Sequence, residues 1–97
     1  MAKRIIWSPQ AVADRISILD YWHQRIGNKS YSRKLDNSLK KIIKKIAYYP
    51  KIGRQLADRK ERFFVKDSYQ IFYIETDRSI EILHIWDSRR SPEDLKL

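Results

Sequence analysis

Hydrophobic and polar residues follow two different periods along the chain, with a helical pattern in its first half and strand-like runs in its second. The opening segment RIIW at 4–7 predicts a short strand. Ser8 then suits an N-cap and Pro9 a first helical position, since proline lacks the N–H that has no partner there. From Pro9 to about Ile26 apolar positions recur at helical spacing, and Gly27 is suited to end the helix. Those positions are Val12, Ile16, Leu19, Trp22 or His23, and Ile26.

A second helix is predicted from about Lys29 to Tyr48, with lysines spread over its polar face. Tyr49-Pro50 stops it, because the residue before a proline is disfavoured in the α region. The segment PKIGR that follows at 50–54 is predicted to be a turn. The apolar stripe of this helix comprises Leu35, Leu39, Ile42, Ile46 and Tyr49, widened by Ile43.

Three segments rich in aromatic and β-branched residues follow, at 61–66, 69–75 and 80–86. Short polar connections join them, so they predict an antiparallel meander. The last is almost wholly apolar apart from Glu81 and His84, which favours an interior place in the sheet. The pattern therefore predicts a single α+β domain over the whole chain: a small antiparallel sheet in the order β-α-α-β-β-β, with an N-terminal helical hairpin packed on one face.

Charge adds the strongest functional indication. The 97 residues include 21 Lys and Arg against 12 Asp and Glu, giving a net charge of +9. Such a balance favours an acidic partner, either nucleic acid or an acidic protein segment. The chain has no cysteine and two histidines far apart in sequence, so no metal and no cofactor are expected. No apolar run approaches the ~20 residues that span a bilayer, so we expect a cytoplasmic protein with no membrane partner.

Three stretches together resemble the RelE/ParE superfamily of bacterial toxins from type II toxin–antitoxin pairs. IIWSPQAVADRISILDYW is similar to the opening strand and first helix, and IAYYPKIGRQL to the helix-ending proline with its glycine and arginine. YQIFYIETDRSIEILHIWDSRRSP is similar to the closing hairpin, including the arginine after the last strand. The resemblance implies growth inhibition, a role in plasmid or chromosome stabilisation, and a cognate antitoxin as partner.

The superfamily divides by mechanism, and the resemblance alone does not choose between its branches. RelE-like members cut messenger RNA in the ribosomal A site, whereas ParE-like members inhibit DNA gyrase. The RelE-like branch implies lysines on the second strand, arginines on the third strand and after the last strand, and a tyrosine or histidine near the end. Arg89 matches the later arginine, with Arg90 its near-equivalent, but the third-strand position is Gln70 and the tail position lies near Leu95.

Cleavage of RNA by its 2′-hydroxyl needs a base, an acid and cations that stabilise charge on phosphorus. His84 is the replacement acid or base that this chain offers, although its position in an apolar strand equally fits a structural histidine. Arg62 and Lys66 are candidates for the second-strand cations. If the protein is a nuclease, the candidate catalytic residues are Arg89, Arg90, His84 and Arg62.

A gyrase inhibitor needs a binding surface rather than an acid–base pair. Arginines at turns and strand ends suit bidentate contacts with phosphate or carboxylate groups. The candidate target-binding residues are Arg54, Arg59, Lys60, Arg62, Lys66, Gln70, Asp87, Arg89 and Arg90. Candidate antitoxin-binding residues are the large aromatics Trp7, Tyr21, Trp22 and Trp86, which also suit ordinary core packing.

The departures at Gln70 and Leu95 favour the ParE-like branch. We therefore expect a toxin that blocks DNA gyrase and is neutralised by a cognate antitoxin. The first alternative is a ribosome-dependent mRNA endonuclease, whose partners would be the ribosome and mRNA. The second is a basic nucleic-acid-binding module without toxicity.

Overall fold

The computed structural model of the protein describes residues 2–27 and 29–88. Its elements follow the predicted order, and the α+β fold class is confirmed. A two-residue strand, β2, is added where the sequence predicts only a turn. The elements are β1 (Arg4–Trp7), α1 (Pro9–Ile26), α2 (Ser30–Tyr48), β2 (Arg54–Gln55), β3 (Arg62–Lys66), β4 (Tyr69–Glu75) and β5 (Ser79–Asp87).

The strands form one five-stranded sheet in the order β1-β5-β4-β3-β2. The predicted meander of three antiparallel strands is confirmed as β3, β4 and β5. β1 adds a parallel neighbour to β5 at one edge, so the sheet as a whole is mixed. β5 accordingly lies between two strands, as its apolar sequence indicates.

The predicted helix ends are confirmed. The Ser8 hydroxyl accepts a hydrogen bond from the N–H of Ala11, and Pro9 opens α1. Gly27 adopts a left-handed conformation with φ of 85°, which residues with a side chain rarely take. Tyr49 caps α2 immediately before Pro50. These caps fix the hairpin that α1 and α2 make.

Both helices pack on one face of the sheet, here called the helix face. α2 buries the predicted stripe on this face, apart from the cap residue Tyr49, which is exposed. The core also includes residues of β4 and β5, whose alternation in β5 is interrupted by a register shift between Ile82 and His84. It comprises Ala11, Ile18, Leu35, Leu39, Ile42, Ile43, Ile46, Tyr69, Ile71, Tyr73, Ile80, Ile82 and Ile85.

α1 departs from its predicted stripe. Val12 and Ile16 are 42% and 62% exposed, whereas Ala11 and Ile18 are buried. The small Ala11 side chain permits α1 to approach the sheet closely, and the Asp14 carboxylate accepts a hydrogen bond from the N–H of Ile85. These contacts select a helix rotation that apolar periodicity does not reveal.

A buried tyrosine fixes the turn that leads into β2. The Tyr73 hydroxyl accepts a hydrogen bond from the N–H of Gly53 at 2.9 Å and donates one to the carbonyl of Pro50 at 2.7 Å. A Cβ atom on Gly53 would lie 2.6 Å from that hydroxyl and 2.9 Å from the carbonyl of Phe63. Glycine at 53 is therefore required for the close approach of this turn to the sheet.

Candidate functional surfaces

The face of the sheet turned away from the core, here called the second face, carries two rows of side chains across β3, β4 and β5. One row is Phe63, Phe72 and His84, and the other is Val65, Gln70 and Trp86. Residues directly opposite one another in paired strands share a face. The second face therefore presents an aromatic and apolar surface that includes three predicted site residues, Gln70, His84 and Trp86.

The first row is partly enclosed. The rings of Phe63 and Phe72 lie 6.0 Å apart, and Phe72 meets His84 edge to face at 6.4 Å. The segment between β2 and β3 and the beginning of α1 close over this row and leave a cavity of about 230 Å³. Its lining comprises Ser8, Gln10, Leu56, Arg59, Glu61, Phe72, Leu83 and His84.

Asp14 holds the edge of β5 where β1 no longer covers it. β1 ends at Trp7, opposite Ile82, so no strand of the described part of the chain pairs with the next part of β5 on that side. The Asp14 carboxylate replaces it by accepting the N–H of Ile85 at 3.0 Å, and it lies 3.5 Å from Nδ1 of His84. His84 is therefore positioned by α1 as well as by its own strand.

The candidate catalytic cation Arg62 does not share the face of His84. Its neighbour Phe63 is in the His84 row, so Arg62 points towards the helix face, where its guanidinium donates to the carbonyl of Gly53 at 2.9 Å. This contact secures the turn closed by Tyr73. The structure thus separates two groups that a nuclease would have to bring to one phosphate.

The remaining cations predicted for target binding are distributed around the β2–β3 segment and β3. Arg59 forms an ion pair with Glu61 at 3.2 Å and lines the cavity. The pKa of the Glu61 carboxyl is lowered by a hydrogen bond from the Glu61 backbone and, to a smaller extent, by the hydrogen bond from Arg59. Arg54, Lys60 and Lys66 are exposed, and Arg54 lies opposite Phe63 on the second face.

Three of the predicted sites fall at the end of β5 or beyond it. Asp87 is 5% exposed and lies opposite Tyr69 on the helix face, where it is not accessible to a macromolecular target. Arg89 and Arg90 lie outside the described residues, as does Leu95.

The four aromatics predicted for antitoxin binding are not gathered into one groove. Trp7 packs against the core beneath the guanidinium of Arg15, 5.4 Å from its ring. Trp22 also packs against the core, and its indole N–H donates to the Tyr69 hydroxyl at 3.1 Å. Tyr21, 47% exposed, lies edge-on to Trp22. Trp86 lies on the second face.

A groove between β1 and α2, here called the β1–α2 groove, brings together residues that the sequence does not predict to share a site. Its volume is about 420 Å³. Apolar side chains form most of its lining, and three lysines are among the residues around it. The lining comprises Ala2, Lys3, Ile5, Trp7, Lys40, Ile43, Lys44, Ala47 and Tyr48. Of the four aromatics predicted for the antitoxin, this groove includes Trp7.

Sequence reasoning missed Asp14 and the lysines of this groove. Asp14 looks like an ordinary polar residue of an amphipathic helix, and its role depends on where β1 ends against β5. From the sequence alone, Lys40 and Lys44 look like ordinary solvated charges of a helix. Their place in the groove depends on the packing of α2 beside the edge strand β1, which no local sequence pattern reveals.

Across residues 2–27 and 29–88, neither helix is long and apolar enough to cross a membrane. The same residues contain no group of three or more His, Asp or Glu side chains arranged to hold a metal ion.

Comparisons with known proteins agree with the fold. The sequence model of a family described as "ParE toxin of type II toxin-antitoxin system, parDE" matches residues 5–92. The chain is also similar to a solved structure described as "Chromosomal ParDE TA system from P. aeruginosa". That match has 19% sequence identity and a TM-score of 0.75, and it covers 89% of this chain and 96% of the other. No curated protein matches the sequence.

Proposed function

Because the chain belongs to the ParE family of toxins from type II toxin–antitoxin systems, we propose that it arrests growth by inhibiting DNA gyrase and does not cut RNA. The observation that carries the second half of this proposal is the separation of Arg62 from His84 by the thickness of the sheet. General acid–base chemistry needs its groups within hydrogen-bond reach of one reacting centre. Gln70 lies on the second face and stands between Arg62 and His84 in the sequence, and its side chain carries no charge.

The second face is the surface that we assign to the target. Val65 is 52% exposed there, and Gln70 and Trp86 complete its open row. Exposed apolar surface rimmed by polar groups is typical of protein–protein contact. Arg54 and Arg59 lie at the border of this face and supply guanidinium groups for carboxylates of a partner.

Expression of the chain in a host without its antitoxin tests the mode of action. Gyrase inhibition predicts filamentous cells with DNA damage and intact transcripts. Primer extension on abundant mRNAs is the decisive readout, because new ends at A-site codons would instead assign the protein to the endonuclease branch. A chain truncated by an early stop codon serves as the control for expression burden.

We also propose that an acidic segment of a cognate antitoxin occupies the β1–α2 groove. Among residues 2–27 and 29–88, β1 has a strand neighbour on one side only, so an extended segment has an edge to which it can add. The apolar residues Ile5, Trp7 and Ile43 suit burial of its side chains. The exposed Lys40 and Lys44 suit its acidic groups, whereas Lys3 is already paired with Glu75 at 2.9 Å.

Charge reversal tests this second proposal. Lys40→Glu with Lys44→Glu should leave the toxin active and abolish its neutralisation by the co-expressed product of the adjacent reading frame. The reversal Lys29→Glu with Arg78→Glu changes the charge equally at exposed positions that do not line the groove, and it should remain neutralised. Equal neutralisation of both variants would remove the groove from the antitoxin site.

A further inference from the structure

Three lysines of α2 form a straight line along the helix. Lys34, Lys41 and Lys45 are all exposed and are separated by seven and four residues. Each successive residue of an α-helix is rotated by about 100° around the helix axis. Lys41 and Lys45, seven and eleven residues after Lys34, therefore point to within about 20° of the direction of Lys34. This line, here called the lysine flank, extends over about 16 Å of the helix. Lys40 and Lys44 point about 80° to 120° away from it, towards the β1–α2 groove.

Acidic residues of the described part of the chain do not neutralise the lysine flank. The single acidic residue among the 19 of α2 is Asp36. Its carboxylate receives two hydrogen bonds from Arg15, at 2.7 and 2.8 Å, and lies 3.4 Å from Lys40. Within the part of the chain that the structure describes, no ion pair is found at the three lysines of the flank. Their charge therefore remains available to an external anion.

The arrangement of these lysines weakens the isolated helix. Lys41 and Lys45 stand four residues apart, and like charges at this spacing repel one another. The first turn of α2 also contains no acidic residue to complement the positive end of the helix dipole. A surface built for solubility alone would interleave acidic residues among the lysines. Their absence from this flank points to an anionic partner that offsets the repulsion.

The spacing of the flank fits a nucleic-acid backbone. One strand of DNA presents a phosphate about every 3.4 Å along the helix axis. The intervals of about 10 Å and 6 Å between successive lysines correspond to about three and two phosphates when α2 lies along the strand. Tyr49, 64% exposed, and Lys51, also exposed, follow at the end of the helix. An exposed ring beside cations suits stacking on an unpaired base.

We propose that the lysine flank is a nucleic-acid-binding site that contacts the phosphodiester backbone without reading base sequence. It is separate from the second face and from the β1–α2 groove, and the inference does not depend on gyrase being the target. The shared ligand chemistry is the phosphodiester chain, which DNA and RNA both supply. Such a site would concentrate the protein on nucleic acid by sequence-independent electrostatic attraction.

Salt-dependent binding provides the test. The intact chain is titrated into labelled duplex DNA, single-stranded DNA and duplex RNA of about 20 residues per strand over a range of salt concentrations. The slope of log K against log salt is about −0.9 for each phosphate contacted in duplex DNA. The variant Lys34→Gln, Lys41→Gln, Lys45→Gln should therefore reduce the steepness of the duplex DNA slope by about 2.7.

A charge-matched control separates a defined site from general attraction. Arg4→Gln, Lys29→Gln, Arg78→Gln also removes three positive charges, lowering the net charge from +9 to +6, at exposed positions off the flank. It should lose less than one third as much slope as the flank variant. Circular dichroism melting of both variants verifies that each is folded before it is titrated.

Equal losses of slope in the two variants would overturn the proposal, because they would show that net charge alone controls binding. It would also be overturned if the flank variant kept its DNA affinity but lost binding to polyglutamate, since the partner would then be an acidic protein. Comparable affinity for duplex DNA and duplex RNA would support backbone recognition of either source. A preference for single strands that Tyr49→Leu removes would support the flank together with base stacking at its end.

Discussion

The two faces of the sheet are built from the same strands but differ in how their side chains are used. On the helix face, Ile71, Tyr73 and Ile82 are inaccessible to solvent and pack beneath α1 and α2. On the second face, Val65 is 52% exposed and Trp86 remains partly accessible. The difference shows that neighbouring residues of one strand carry different tasks. The helix face stabilises the fold, whereas the open row of the second face is available for the target contact that we propose.

The charged residues follow the same division. Arg62, on the helix face, donates to the Gly53 carbonyl and supports the turn beside Tyr73. Arg54 and Arg59 border the second face. Positive charge in a small basic domain is therefore not equivalent from site to site, and a substitution must be interpreted by the face on which it lies.

The largest expected effect is on the helix face. Ile82→Ala removes a side chain with 0% exposure from the centre of the core. We expect a loss of about 3 kcal/mol in the free energy of unfolding, because the cavity left by the removed atoms closes incompletely. Urea denaturation measures the change. A loss below about 1 kcal/mol would show that the core is loosely packed at β5.

The next effect concerns the buried tyrosine. Tyr73→Phe leaves the N–H of Gly53 without its partner, and we expect a loss of about 1–2 kcal/mol. Burial raises the pKa of the Tyr73 hydroxyl above its ordinary value of 10.0. The native state therefore favours the neutral phenol, and stability contributed by Tyr73 should fall as the pH rises above 10.0 towards the folded-state pKa.

Chemical denaturation at increasing alkaline pH checks this expectation. The wild-type protein should lose stability more steeply than Tyr73→Phe, which has no phenol to ionise at this position. Identical slopes in the two proteins would contradict the role assigned to the buried hydroxyl.

A smaller effect is expected where the two helices meet. Hydrogen bonding from Arg15 lowers the pKa of the Asp36 carboxyl below its ordinary value of 3.8. The stabilisation is therefore present above pH 3.8 and is lost as the pH falls through the lower folded-state pKa. Asp36→Asn should cost about 1 kcal/mol at neutral pH, and this difference should shrink in acid. Thermal melts at several pH values provide the measurement.

The smallest effect on stability, and a large one on function, is expected on the second face. Val65→Glu at a position 52% exposed should change the free energy of unfolding by less than about 1 kcal/mol, because little packing is lost. It should nevertheless weaken gyrase inhibition at least about tenfold, since about 1.4 kcal/mol of lost contact energy has this effect.

The matched control is Val12→Glu, which makes the same chemical change at a position 42% exposed on α1. It should retain full inhibition. If Val12→Glu lost inhibition and Val65→Glu kept it, the target surface would lie on the helices, and the assignment of the second face would be wrong.

Local patterns in the sequence predicted most of the elements, and tertiary contacts account for the departures. The periodicity of α2 identified Leu39 and Ile46 as core residues, because a strongly amphipathic helix has one apolar side to bury. The rotation of α1 was not predictable in this way, since it depends on Asp14 replacing a missing strand neighbour of Ile85. The parallel pairing of β1 likewise depends on the tertiary path of the chain: the helical hairpin leads to β2 at the opposite edge of the sheet, and the meander then brings β5 beside β1.

The candidate site was predictable by residue type more than by location. Arginine composition identified Arg54, Arg59 and Arg62 alike, but strand register places Arg62 on the opposite face from His84. Aromatic content identified Trp7 and Trp86, yet the two lie at the β1–α2 groove and on the second face respectively. These placements depend on the pairing register of the strands and on the path of the chain between them, and no local motif encodes either.

The most direct test of the central claim is a supercoiling assay with purified gyrase, relaxed plasmid and the purified chain, without ribosomes. The account predicts inhibition that increases with toxin concentration, is retained by Val12→Glu and is weakened by Val65→Glu. Full supercoiling activity at every toxin concentration, together with cleavage of mRNA in a parallel translation reaction, would contradict it.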